Sequence, residues 1–204
     1  QNLLSPWLPS QGLCMIYAAR EFGKTWMALE IAYAVASGGR FLCWEAESPN
    51  GVIYIDGEMP LIVLQERLYQ IDKSRGQQKK VILKIVNPDV QEFGIPDLST
   101  TEGQNEIDAL ISDEIKLVVL DNLSTLFRSG KEYDSDSWLP VQEWLLRLRS
   151  RGKSVLLIHH AGKSGQQRGT SRREDVLDTV ITLKRPAEYK QQDGACFEVF
   201  FEKT

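Results

Sequence analysis

No apolar run in this chain approaches the ~20 residues needed to cross a bilayer, which excludes a membrane-spanning helix. Cysteine is scarce. Cys14, Cys43 and Cys196 are odd in number and widely spaced, a pattern that fits neither a disulfide framework nor a zinc site. Cys14 and Cys196 lie in apolar, strand-like runs, so both are expected as buried thiols in a reducing, cytoplasmic setting. A strong charge of either sign is also missing. The net charge of −4 gives no global attraction to nucleic acid or to an anionic membrane, and any nucleic-acid contact must come from a local basic patch. Residues 1–10 lack a basic stretch followed by an apolar one, so no signal peptide is expected. With no initiator Met, the chain is expected to be a piece of a longer one.

What is present suits a globular fold. The 204 residues, 42% hydrophobic and 25% charged, suffice for one α/β domain with a sizeable core. The organising stretch is Ala18-Ala19-Arg20-Glu21-Phe22-Gly23-Lys24-Thr25. It follows an apolar run and precedes a helical pattern, Trp26 onward, which is the strand–turn–helix context of a phosphate-binding loop. A tight turn opening a helix aims several backbone N–H groups at one spot, and the helix dipole favours an anion there. Residues 19–26 (Ala19, Arg20, Glu21, Phe22, Gly23, Lys24, Thr25 and Trp26) are therefore the expected nucleotide cradle. Lys24 supplies a mobile cation for the β- and γ-phosphates of ATP, and Thr25 a hydroxyl for Mg²⁺. The loop departs from the usual pattern twice: it opens on Ala18 instead of Gly, and Glu21 stands where many such loops carry Gly.

Hydrophobic patterning predicts strands over 12–18, 52–56, 81–86, 117–120 and 154–158, with helices over 24–37, 61–73, 101–111 and 138–148 between them. Two further strands, 178–183 and 196–201, are joined by a connection containing Asp193-Gly194 and read as a hairpin. Such alternation implies an α/β fold: a mainly parallel central sheet flanked by helices, ending in a β-hairpin. Ligands in these sheets bind outside the C-terminal strand ends. Four strand ends deliver polar residues there: the loop at 18–25, Glu58, Asp121, and His159-His160.

Each of these has a chemistry. Asp121, after four apolar residues, can hold the water shell of Mg²⁺ opposite Thr25. Glu58 can orient and polarise the attacking water, with Asp56 the competing candidate. One of His159 and His160 can contact the γ-phosphate, because neighbours on a strand point to opposite faces. Residues 162–173, GKSGQQRGTSRR, carry Lys163, Arg168, Arg172 and Arg173 with no acid. A flexible basic loop directly after a γ-phosphate contact suits a phosphate backbone, or presents Arg to a neighbouring subunit's nucleotide.

Taken together, AAREFGKT, GRFLCW, VIYIDGEMP, LVVLDNL, VLLIHHAGKSG and RGTSRREDVLDTVITL resemble the RecA-like core ATPases, especially the RepA-type plasmid replicative helicases and more distantly the DnaB-type helicases. The resemblance implies a Mg²⁺-dependent ATPase in a ring of six subunits, ATP held between neighbours, and single-stranded DNA in the central channel. Under it Glu58 matches the catalytic carboxylate, Asp121 the Mg²⁺-associated acid, and His159 or His160 the γ-phosphate sensor. Lys24 acts on the phosphates, and Arg168 is a candidate trans-acting arginine. Many relatives also carry Lys-x-Arg on the final strand. Lys203 matches, but the Arg would follow Thr204. Two other readings compete: an ATPase that drives assembly or regulation without unwinding, and, ranked last, a small-molecule phosphotransferase.

Overall fold

The computed structural model describes residues 1–76, 81–129, 135–161, 175–194 and 196–204. The chain opens with a small antiparallel hairpin, β1 (Asn2–Leu4) and β2 (Leu8–Pro9), where hydrophobic patterning predicts no strand. Trp7, in its turn, packs onto the domain. Its ring lies 5.2 Å from that of Trp44 and 6.3 Å from that of Phe201.

Strand β3 (Leu13–Ala18) leads into α1 (Lys24–Ser37), which Gly38 ends in a left-handed conformation with its N–H on the Ala34 carbonyl. A short hairpin, β4 (Arg40–Phe41) and β5 (Trp44–Glu45), precedes β6 (Gly51–Asp56) and α2 (Leu61–Ser74). Next come β7 (Leu83–Val86), α3 (Thr101–Asp108), β8 (Ile115–Asp121), the single turn α4 (Leu123–Leu126), α5 (Ser135–Ser150) and β9 (Ser154–His160). The final pair is β10 (Thr179–Lys184) and β11 (Glu198–Lys203).

Seven strands form one sheet in the order β11-β10-β3-β9-β8-β6-β7. All neighbours are parallel except β10 and β11, so the expected mainly parallel sheet with a terminal antiparallel hairpin is what forms. The chain passes from β3 to β6 across two strand positions that β8 and β9 later fill. The ends of β3, β9, β8 and β6 are thereby adjacent, at a topological switch point.

Both faces of the sheet are buried, and the strand residues alternate between two cores. Cys14, Ile16, Val52, Tyr54, Leu117, Val119, Leu156 and Ile158 join α1 and α2 on one face. Leu13, Met15, Ile53, Ile55, Val118, Leu120, Val155 and Leu157 join α3 and α5 on the other. Helix α1 is apolar on nearly all sides because it is buried on nearly all sides.

Three local expectations need correction. Cys196 is exposed, not buried, because β11 begins two residues later and forms the sheet's outer edge. The third helix stops at Asp108, and Leu110 is solvent-exposed while Ile107 and Ile111 are buried. The strand expected over 81–86 begins at Leu83.

Candidate nucleotide site

The loop after β3 turns into α1 at Gly23, whose φ of 83° requires a left-handed conformation that glycine adopts without strain. Gly23 is the N-cap and offers no side chain, so the first-turn N–H groups of α1 remain for an anion. Glu21 also takes a left-handed conformation, with φ 63°. That is the physical reason many such loops carry glycine at this point. Lys24 curls back over the loop. Its Nζ donates to the carbonyls of Ala18 at 3.0 Å and Ala19 at 2.6 Å. Burial lowers the ammonium pKa to about 8, and the charges of Asp121 and Glu58 act to raise it.

Asp121 ends β8 beside Asp56, its register partner at the end of β6. It accepts the Tyr54 hydroxyl at 2.5 Å and a hydrogen bond from the Thr25 side chain. Burial raises its pKa, opposed first by those two hydroxyls. An enclosed carboxylate bonded to the Thr25 hydroxyl is a fitting pair of oxygen donors for a hard divalent cation such as Mg²⁺. Among the described residues no cluster of three or more His, Cys, Asp and Glu could hold a metal, so further oxygens would come from phosphate and water.

Asp56 and Glu58, the two candidates that the sequence left open, differ in burial and in partners. Asp56 is buried, accepts from the Met59 N–H at 2.9 Å and the Asn87 side chain at 2.8 Å, and does not line the cavity. Burial, then the charge of Asp121, pushes its pKa up to about 7. Glu58 projects from the next turn, half-exposed, with Oε1 3.8 Å from Nε2 of His160. His160 continues the Ile158 side of β9, toward α1, and lines the cavity. His159 is buried and does not line it.

Lys24, Thr25, Glu58 and His160 converge on one cavity of about 400 Å³, within the ~300–1,000 Å³ of small-molecule sites, with Asp121 bonded to Thr25 behind it. Glu21, Gly23, Lys24, Thr25 and Trp26 form one wall, and Glu58 and His160 face them. The structure thus brings together the loop, Thr25, Asp121, Glu58 and one histidine, as the strand ends predict. Lys163, Arg168, Arg172 and Arg173 lie outside the described residues. Lys203 stands opposite Val180, near the start of β10, whereas the loop side of β10 is its other end.

Sequence reasoning missed several contributors. Arg67 of α2 lines the cavity and stacks on Trp26, its guanidinium 5.0 Å from the ring. Met59 and Gly194 line it as well. Arg185, just after β10, stacks on Phe22 at 4.8 Å and Tyr189 at 3.8 Å and donates to the Glu21 carbonyl at 3.4 Å. The strand-end rule that locates Glu58 and Asp121, applied to the end of β10, would have found Arg185. No comparable signal marks Arg67.

Comparison with known proteins agrees with this geometry. A KaiC-like protein from the hyperthermophilic archaeon Pyrococcus horikoshii OT3 superimposes with a TM-score of 0.63 at 15% identity, covering 98% of this chain and 82% of that one. At that identity the likeness concerns the fold. No curated protein matches. The family model described as an AAA domain matches residues 1–166, which include every cavity residue from β3 to β9. The chain belongs to the AAA domain family: it is a P-loop ATPase domain with a RecA-like fold.

Proposed function

We propose that this ATPase domain is the motor core of a helicase-type assembly acting on single-stranded DNA. The observation that carries the reading is the convergence of Lys24, Thr25, Glu58 and His160 on one cavity, with Asp121 bonded to Thr25 behind it; in sequence, the basic segment 162–173 follows directly on β9 and Ala161. The residue before that segment, Ala161, donates its N–H to the carbonyl of Ala18 at 2.8 Å. A change at the phosphates is therefore one residue away from the chain that would grip DNA.

The roles follow from chemistry. The first-turn amides of α1 and the Lys24 ammonium bind the phosphates, once Lys24 leaves the carbonyls it now holds. Thr25 and Asp121 hold Mg²⁺, which when bound neutralises charge on the phosphate oxygens. Glu58 orients the attacking water, and His160 contacts the γ-phosphate. Lys163, Arg168, Arg172 and Arg173 engage the DNA backbone through charge, without reading sequence. In a ring of six, a neighbouring copy of the chain would complete the site, with Arg168 acting in trans.

The test is ATP hydrolysis with and without single-stranded DNA. Stimulation by DNA is expected, and hydrolysis indifferent to DNA overturns the motor reading. The left-handed Glu21 favours a second reading, an ATPase that drives assembly without unwinding. An increase in oligomer size with a non-hydrolysable ATP analogue, without affinity for DNA, would support it.

A further inference from the structure

The turn that carries Glu58 is held by a residue from a different strand. Asn87 follows β7, the edge strand opposite β11, and is fully buried. Its Nδ2 donates to Asp56 Oδ2 and to the Met59 carbonyl, both at 2.8 Å. The same Asp56 oxygen accepts the Met59 N–H at 2.9 Å. Met59, the residue after Glu58, is thus gripped at both of its backbone polar groups. Gly57, the residue before, donates its N–H to the Asp121 carbonyl at 2.8 Å. The clamp extends further. Asn87 Oδ1 accepts the Asp89 N–H at 3.0 Å, and Asp89 accepts the Leu61 N–H at 2.8 Å, at the first residue of α2. Backbone is therefore fixed on both sides of Glu58, while its own side chain stays half-exposed toward the cavity.

We infer that Asn87 is a positioning residue for Glu58: by joining Asp56 to the Met59 carbonyl, it sets where the Glu58 carboxylate stands relative to the terminal phosphate. The inference rests on the reading of Glu58 as the carboxylate that orients the attacking water. Asn87 is chemically suited to this task. One amide group, on a fully buried residue, donates twice and accepts once, and loss of the side chain leaves a buried carboxylate and a part-buried carbonyl short of a donor. A small displacement of a group that orients a reactant has a large effect on rate and little on ground-state binding.

The experiment uses Asn87→Ala, Glu58→Gln and the double variant. It measures steady-state ATP hydrolysis, equilibrium binding of a fluorescent ATP analogue, and thermal unfolding. The expected result is that Asn87→Ala lowers kcat about 10- to 100-fold, with analogue affinity within about 2-fold of the parent. In the Glu58→Gln background the same change should add less than about 2-fold, because residues that act as a unit are not additive. Retained turnover in Asn87→Ala, with turnover lost in Glu58→Gln, overturns the Asn87 inference alone. So does a full additive loss in the double variant, or a fall in affinity that matches the fall in kcat. Retained turnover in Glu58→Gln overturns the role of Glu58 and this inference with it. Should Asn87→Ala not fold, Asn87→Ser, which keeps a small donor, is read against the same criteria.

Discussion

Nε2 of His160 lies 3.8 Å from Oε1 of Glu58, so the residue at the end of β9 faces the residue just past β6 across the mouth of the cavity. The two histidines, though adjacent in sequence, have separable roles. Glu58→Gln is expected to lower kcat by about 10²- to 10⁴-fold, the usual contribution of a positioned acid or base, with ATP binding retained. His160→Ala is expected to lower turnover by about 10-fold or more. His159→Ala should instead lower stability by about 1–3 kcal/mol, because His159 is buried and does not line the cavity. Turnover assays and thermal melts of the three variants check this. An inert His160→Ala beside an inactive, stable His159→Ala would reverse the assignment.

Lys24 holds the Ala18 and Ala19 carbonyls. Lys24→Ala therefore removes a phosphate ligand and a loop brace together. A hydrogen bond to a charged group contributes about 1.5–3 kcal/mol, so ATP affinity should fall roughly 10- to 100-fold. Titration with a fluorescent ATP analogue measures it. Unchanged affinity would remove the phosphate-binding role of the whole loop.

Glu21 combines a left-handed backbone with a place in the cavity wall. For a residue with a Cβ that conformation costs about 1–2 kcal/mol, and its carboxylate stands near incoming phosphate. Glu21→Gly relieves both. The unfolded chain gains freedom from the new glycine, by about 0.5–1 kcal/mol, so the melting temperature should hardly move. ATP affinity should rise several-fold, and calorimetric titration would detect it. No gain in affinity would mean that the carboxylate does not oppose the phosphates.

Gly57 has no room for a side chain. A Cβ there would stand 2.2 Å from Thr125 Oγ1 and 2.9 Å from Thr125 Cβ. Thr125 belongs to the capping box of α4 with Asn122, so neither side of the contact yields without breaking a hydrogen bond. Gly57→Ala should cost about 1–3 kcal/mol and lower turnover, since the displaced turn carries Glu58. Denaturant unfolding and an ATPase assay check it, and a variant with parental stability and rate would refute the contact.

The three cysteines differ in reach. Burial pushes the Cys14 thiol pKa up to about 12, whereas Cys43 and Cys196 are exposed. Alkylation of the native protein near pH 8 should label two thiols quickly and the third only after denaturation. Intact-mass measurement over time counts them, and rapid labelling of all three would contradict the burial of Cys14.

Much of this was legible in the chain. Apolar runs of strand length, each ending in a polar residue, fixed β3, β6, β8 and β9 and pointed to Glu58, Asp121 and the histidine pair, because a buried parallel strand must be apolar until it leaves the sheet. The Gly-Lys-Thr turn identified the helix start by its own chemistry. Less legible were the elements with weak local patterns. The hairpin of β1 and β2 depends on contacts with distant residues, such as the bond from Thr179 Oγ1 to the Trp7 carbonyl at 3.0 Å. Cys196 reads as buried only if the last strand is internal, and edge position is a property of the whole sheet.

The sequence by itself determined the fold class, the phosphate-binding turn and the carboxylates at the strand ends, since each depends on residues close together along the chain. Tertiary structure decided the rest. It set His160 and not His159 in the cavity, buried Asp56 as a brace while leaving Glu58 half-exposed at the cavity, and brought in Arg67 from a helix whose local sequence carries no sign of it, with Arg185 and Asn87 from strand ends whose part in the site only the packing shows. The physical reason is that a strand's period fixes only that neighbours face opposite ways. Which face meets α1 is set by how the whole sheet is covered, and that depends on residues far apart in the chain.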